Sequence, residues 1–277
     1  MVGVLVTCRS CGFLAAVVLA VAPAVAAAQE SSPAPATVVV GIGVGVTRGD
    51  TPLSVSAACP PPSGEVYGRT ACRAGVVPST VSSIDAGYPL AVAPLADLGV
   101  GVRLVGGFGF TVAGQWARRS LQADVHASLP SLIHPGRGFR EVAGARAVDQ
   151  ERQVLHVGAA WSRVLGERME LSVSAGPSWF RVRQDLITDV SFTERYPFDV
   201  ASFGDAVSTV GVGSAFGWHA ALDLTYWLGG RVGIGSVVRY SGGHVLLDPG
   251  RPVGYLAEPV AASQRGVEVV GGFRVRF

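Results

Sequence analysis

His126, Ala127 and Ser128 stand together, with Glu141 a short distance on. A histidine, a hydroxyl and a carboxylate are the residue types that make an activated nucleophile for acyl hydrolysis, provided the base reaches the hydroxyl. They fall in a stretch that reads as loop, and nothing in their spacing brings them together, so no catalytic residue is expected. His219 lies in a strongly alternating segment, where a hydrogen-bonding role fits better than a ligand. Gly211 to Ser214 (GVGS) is strand alternation, since no helix follows that could cradle a phosphate. Cys59 and Cys72 flank a Pro- and Gly-rich stretch with no histidine nearby. That is a poor zinc site and a good disulfide, restraining its loop by roughly 3 kcal/mol on the loop-closure model. No metal and no cofactor are expected.

Six charged residues form a second constellation: Arg103, Glu170, Asp223, Arg239, Glu268 and Arg274. Each sits at the polar phase of an apolar alternation, most of them a few residues from a Gly-rich turn. Mixed signs on inward faces would pair across a narrow interior, because a lone charge there is costly.

These residues need strands to position them. The chain has 277 residues, 49% hydrophobic and 15% charged, with a mean hydropathy of +0.40. That is too apolar for an ordinary soluble domain. Past the N-terminus, however, no run of 18 or more apolar residues occurs, so transmembrane helices are not expected. Net charge is +2, all basic residues are Arg and they do not cluster, which leaves nucleic-acid binding without support. Residues 1–28 read as a secretory signal peptide. Arg9 gives the positive region, Gly12 to Ala22 the apolar core, and Ala26-Ala27-Ala28 the cleavage site. Cys8 and Cys11 leave with it. Residues 29–37 read as a flexible leader.

Residues 38–277 alternate with period two in eight segments. The strand ranges are Val38 to Thr47, Leu98 to Val105, Phe108 to about Arg118, Gln150 to Leu165, Arg168 to about Gln184, Val207 to Leu228, Arg231 to about Val245, and Gly266 to Phe277. Val38, Val40, Ile42, Val44 and Val46 share one face of the first strand, against Gly41, Gly43 and Gly45 on the other. Short turns at Gly106-Gly107, Gly166-Glu167 and Gly229-Gly230 alternate with long loops near 48–96, 121–149, 185–206 and 247–262, the second of them open to strand extensions at its two ends. A short hairpin within Val76 to Leu90 would raise the count to ten. Aromatic residues collect at the strand ends: Phe108, Trp161, Tyr226 and Phe277, and again Trp116, Trp179, Phe216, Trp218 and Tyr240. Eight residues separate Phe108 from Trp116, or roughly 20 Å along a strand tilted by about 40°, close to the apolar band of a membrane barrel.

The expected fold is therefore all-β, a transmembrane antiparallel up-and-down β-barrel of eight strands, ten possible, in meander order. The signal peptide, the long-short loop alternation and the terminal Phe277 resemble the small eight-stranded outer-membrane barrels of Gram-negative bacteria, the OmpA/OmpX type. That resemblance implies residence in the outer membrane, contact with its lipid and lipopolysaccharide, and insertion by barrel-assembly machinery that reads the last strand through Phe273, Val275 and Phe277. The expected role is structural or surface-interacting, with external loops on a rigid, sealed barrel and an extracellular ligand that the sequence does not identify. A small-solute channel is the alternative. A lipid A-modifying enzyme, resting on His126, Ser128 and Glu141, is the third reading.

Overall fold

The computed structural model describes residues 37–49, 53–58, 83–130, 139–195, 200–250 and 259–277. The signal peptide, all but the last residue of the leader, and Cys59 and Cys72 lie outside the described residues. Eleven strands are present among them: β1 (Thr37–Gly49), β2 (Leu53–Ala58), β3 (Ser83–Tyr88), β4 (Val92–Arg103), β5 (Phe108–Pro130), β6 (Phe139–Leu165), β7 (Met169–Arg195), β8 (Val200–Trp227), β9 (Val232–Leu247), β10 (Val260–Ser263) and β11 (Gly266–Arg276).

Eight of them close a ring in the order β1, β4, β5, β6, β7, β8, β9, β11 and back to β1, with every pair antiparallel. Closure runs from Val39 opposite Arg276 to Gly49 opposite Gly266. It is completed by the Phe277 amide donating to the Val38 carbonyl (2.9 Å) and the Val38 amide donating back (3.2 Å). A closed ring leaves no unpaired backbone in lipid, which is what permits strands to span a membrane. The inward glycines of β1 make this closure possible: a Cβ on Gly45 would collide with the Val269 carbonyl of β11. At the short-turn end, Gly106 and Gly107 take φ of 72° and 82°, a left-handed bend that glycine adopts without strain.

β2, β3 and β10 extend this ring upward. β2 pairs with β3, β3 with the upper half of β5, and β10 with β9. β3–β4 and β10–β11 are thus each one barrel stave with an interruption, and β1 and β2 lie along a third. The sequence expectation of long loops near 48–96, 121–149, 185–206 and 247–262 is corrected here: strands occupy 53–58, 83–88 and 92–96, 121–130 and 139–149, 185–195 and 200–206, and 260–262. The alternation continues through these segments, but with its phase reversed. On β5, Phe108, Phe110, Val112 and Trp116 face outward, then Arg118, Ser120, Gln122, Asp124 and His126 take the same outer face. The inner face changes in the opposite sense, from Gly109, Thr111 and Gln115 to the buried Leu121, Ala123, Val125, Ala127 and Leu129. Below the outer aromatic residues the wall meets lipid and above them it meets water, so the apolar side must change from outside to inside. The upper barrel therefore packs like a soluble protein around Phe180, Leu186, Leu129, Val125, Val182 and Leu247.

The lower outer wall is a continuous apolar belt. Its exposed residues include Val44 (74%), Phe110 (60%), Phe216 (79%) and Phe273 (63%). Phe108 stands opposite Trp161 and Met169 opposite Tyr226 at the short-turn rim, with Phe277 beside β1. Trp179 stands opposite Phe216 at the upper limit, and Trp218 packs on Tyr240 with ring centroids 5.4 Å apart. Trp116 donates through its indole N–H to Glu151 (2.9 Å), an aromatic body in lipid with its polar edge toward water. Together these rings form the two aromatic girdles of a transmembrane barrel.

Candidate functional site

Inward positions of the membrane-spanning half are mostly very small, with a few charged, polar or apolar side chains among them. Gly, Ala, Ser and Thr dominate, which leaves room for a few long polar side chains from opposite staves to meet. They meet at two levels.

At the short-turn rim, Arg103 of β4 forms an ion pair with Glu170 of β7. Glu170 also accepts from the indole N–H of Trp227 (3.0 Å), and the Arg276 guanidinium lies over the Trp227 ring, 4.5 Å from its centroid. Beside this cluster Arg274 Nη2 stands 3.3 Å from Asp223 Oδ2. These contacts floor a cavity of about 130 Å³.

The second level closes the cavity from above. Arg239 of β9 donates to Asp97 of β4 (3.0 Å) and contacts Glu268 of β11 (3.4 Å). Arg152 of β6 donates to Glu268 (2.9 Å), Ser241 (3.0 Å) and Thr47 (3.1 Å), while Phe180 lies over its guanidinium at 5.4 Å. Glu268 has no exposed surface. Two arginines against two carboxylates leave the level neutral, and bridging hydrogen bonds satisfy the charges that burial would otherwise penalise.

A hydrogen-bonded chain completes this layer. Gln115 Nε2 donates to Asp97 (3.0 Å), and Gln115 Oε1 accepts from His156 Nε2 (3.1 Å). His156 Nδ1 is then an acceptor, so it receives the Ser178 hydroxyl proton (2.7 Å), and Ser178 Oγ accepts from His219 Nδ1 (3.0 Å). Serine beside histidine is the arrangement of an activated nucleophile. Ser178, however, is 1% exposed and wedged between two imidazoles, so no substrate carbonyl has a path to it.

All six sequence-predicted lumen charges, Arg103, Glu170, Asp223, Arg239, Glu268 and Arg274, lie on the inner wall. Arg103 with Glu170, Asp223 with Arg274, and Arg239 with Glu268 come together. Alternation places Gln115 on the inward face, but sequence reasoning missed Asp97, Arg152, His156 and Trp227. Each occupies an inward position of its strand, and parity counted from the outward Leu98, Trp161 or Tyr226 would have found them. His126 and Ser128 point outward on the upper part of β5, with Ser128 opposite Glu141. They sit on the outer surface and do not line the lumen cavity.

No protein-family model matches the chain, and no curated protein matches it. Solved structures do. OprG of Pseudomonas aeruginosa is 11% identical over 87% of this chain and 95% of its own, with a TM-score of 0.49. Neisserial surface protein A is 10% identical over 88% and 100%, with a TM-score of 0.43. Ail of Yersinia pestis is 11% identical over 86% and 98%, with a TM-score of 0.37. The closed eight-strand ring, the apolar belt and the paired girdles of the chain itself identify its architecture: it is a transmembrane β-barrel of the small up-and-down kind.

Proposed function

We propose that this protein is a sealed scaffold in the outer membrane, whose upper wall and connecting loops make contacts outside the cell and whose role is non-catalytic. The observation that carries this reading is that the lumen is blocked twice in series. The Asp97–Arg239–Glu268–Arg152 layer blocks it first, and the hydrophobic core around Phe180 and Leu129 blocks it again above. Eight strands leave an interior that side chains fill, so neither block has room to move aside without repacking. The long staves then raise a rigid, water-facing platform roughly 30 Å above the girdle, counting from Trp116 to Leu129. Contacts with membrane lipid and lipopolysaccharide at the belt, and insertion through a final strand bearing Phe273, Val275 and Phe277, belong to the same reading.

The cavity of about 130 Å³ behind the rim favours a second reading, a small-solute channel that opens at the charged layer. Single-channel recordings of the purified protein in planar bilayers separate the two: a silent membrane is expected, and reproducible conductance steps would refute the sealed scaffold.

A further inference from the structure

Above the membrane, the wall hydrogen bonding that joins β1 to β11 stops at Gly49 and Gly266. Higher up, β2 pairs only with β3 and β10 only with β9 among the described residues. Two staves break at this height, between β3 and β4 and at Gln264-Arg265, and β1 ends below it at Gly49 while β2 begins above it at Leu53. A second cavity, of about 60 Å³, lies at these breaks, with Gly49, Leu53, Leu90 and Arg265 at its mouth. A water needs ~10–15 Å³ of such space, so this volume takes several waters or one carboxylate- or phosphate-sized group. The hydrophobic core covers it from above and the Arg152–Glu268 layer closes it from below, so its mouth faces sideways through the seam.

The lining chemistry is one-sided. Arg119, Arg152, Gln150 and Gln184 point in from one side and Thr47, Ser263 and Gln264 from the other, and among the described residues no Asp or Glu lines the cavity. Arg152 is already neutralised by Glu268. Arg119 is not neutralised in this way: among the described residues it donates to the side-chain oxygen of Gln150 (2.6 Å) and to the Ala91 carbonyl, both neutral acceptors. The buried Ser263 hydroxyl has no hydrogen-bond partner there. A half-buried guanidinium without a carboxylate, next to a second arginine and an unpaired hydroxyl, is a site completed by an anion.

We propose that this seam pocket binds an anionic oxygen group, a phosphate or carboxylate, held by the Arg119 fork and the Ser263 hydroxyl. The mouth lies one residue above the level where Val267 stands opposite Tyr240 of the outer girdle. At that height the group could come from a free solute or from a lipid headgroup of the outer leaflet.

Two measurements on the full-length protein separate the sources. In detergent, inorganic phosphate is titrated into the wild type, Arg119→Gln and Arg118→Gln by calorimetry, Arg118 being the outward neighbour paired with Asp149. Saturable binding is expected that weakens about tenfold or more in Arg119→Gln, the loss of one charge-assisted hydrogen bond, and stays unchanged in Arg118→Gln. In phosphatidylcholine vesicles with and without lipopolysaccharide, a lipid source predicts a rise in unfolding temperature with lipopolysaccharide that Arg119→Gln abolishes. Where Arg119→Gln lowers the folded fraction on unheated gels, Arg119→Lys and Ser263→Ala replace it, and each should weaken binding while migrating as folded barrel. Phosphate binding and lipopolysaccharide stabilisation that are both absent, or both unaffected by these variants, would overturn the proposal.

Discussion

Arg239 and Asp97 are 142 positions apart in the chain, yet Arg239 Nη1 lies 3.0 Å from Asp97 Oδ2 across the lumen. Between them run only β1 and β11, the two staves that close the ring. The pair therefore ties the first half of the barrel to the last across its closing seam, and its partner Glu268 sits on the closing strand itself.

Removing the Glu268 charge leaves Arg152 without its carboxylate, while Arg239 keeps only Asp97. Breaking a buried ion pair from one side typically costs about 3–5 kcal/mol. Glu268→Gln should therefore sharply lower the temperature at which the compact band disappears on semi-native gels, and more than Asp205→Asn, whose carboxylate pairs with Arg146 at the surface. Equal shifts for the two variants would show that the layer does not stabilise the barrel.

The two blocks act in series, so weakening one should not open the lumen. Arg239→Ala is expected to remain silent in planar bilayers, because the core around Phe180 still closes the upper barrel. Conductance in this single variant would mean that the upper core transmits ions.

The reversal of phase along β5 predicts opposite tolerances at equivalent outward positions. Val112→Arg places a charge at the middle of the lipid belt and should cost about 2–4 kcal/mol, whereas Gln122→Arg faces water and should cost almost nothing. Cysteines placed at Phe110 and at Gln122 should likewise differ toward a membrane-impermeant maleimide, the first protected and the second labelled in intact vesicles. Labelling of both would move the membrane boundary.

Tyr88 lies in the upper, water-surrounded barrel, and its hydroxyl accepts the Ile187 amide (2.8 Å) beside a bulge in the β7–β8 pairing. Burial, with Asp185 nearby, pushes its phenol from the ordinary 10.0 up to about 12, although the Ile187 hydrogen bond works the other way. A raised phenol contributes stability that is complete below about pH 10 and is lost as pH rises toward 12. Tyr88→Phe should therefore cost about 1–3 kcal/mol at neutral pH by leaving a buried amide unpaired, and should remove this alkaline slope. A denaturation series from pH 8 to 12 that leaves the wild type and Tyr88→Phe parallel would refute this assignment.

Phe277 pairs with Val38 at the point of closure. Phe277→Ala is expected to reduce the amount of folded barrel recovered from the outer membrane more than Glu167→Ala in the exposed β6–β7 turn. Comparable recovery of both variants would deny the final aromatic residue a part in insertion.

Much of this barrel was legible locally. Alternation at period two fixed the eight staves, the Gly-rich turns fixed which ends are short, and Phe108 to Trp116 measured the apolar belt, because each signal lies within one strand and its neighbours. The six lumen charges could be placed on inward faces for the same reason. Their full set of partners could not. Asp97 with Arg239, and Arg152 with Glu268, meet only because register and shear bring distant inward positions to one height. The upper halves of β5, β6, β7 and β8 were read as loops although their alternation is regular, since a strand reads as membrane-spanning only when its apolar side faces out. Sequence alone determines that side chains alternate. Which face must be apolar is decided by the medium outside the wall, lipid below the girdle and water above it, and that boundary exists only once the barrel has closed.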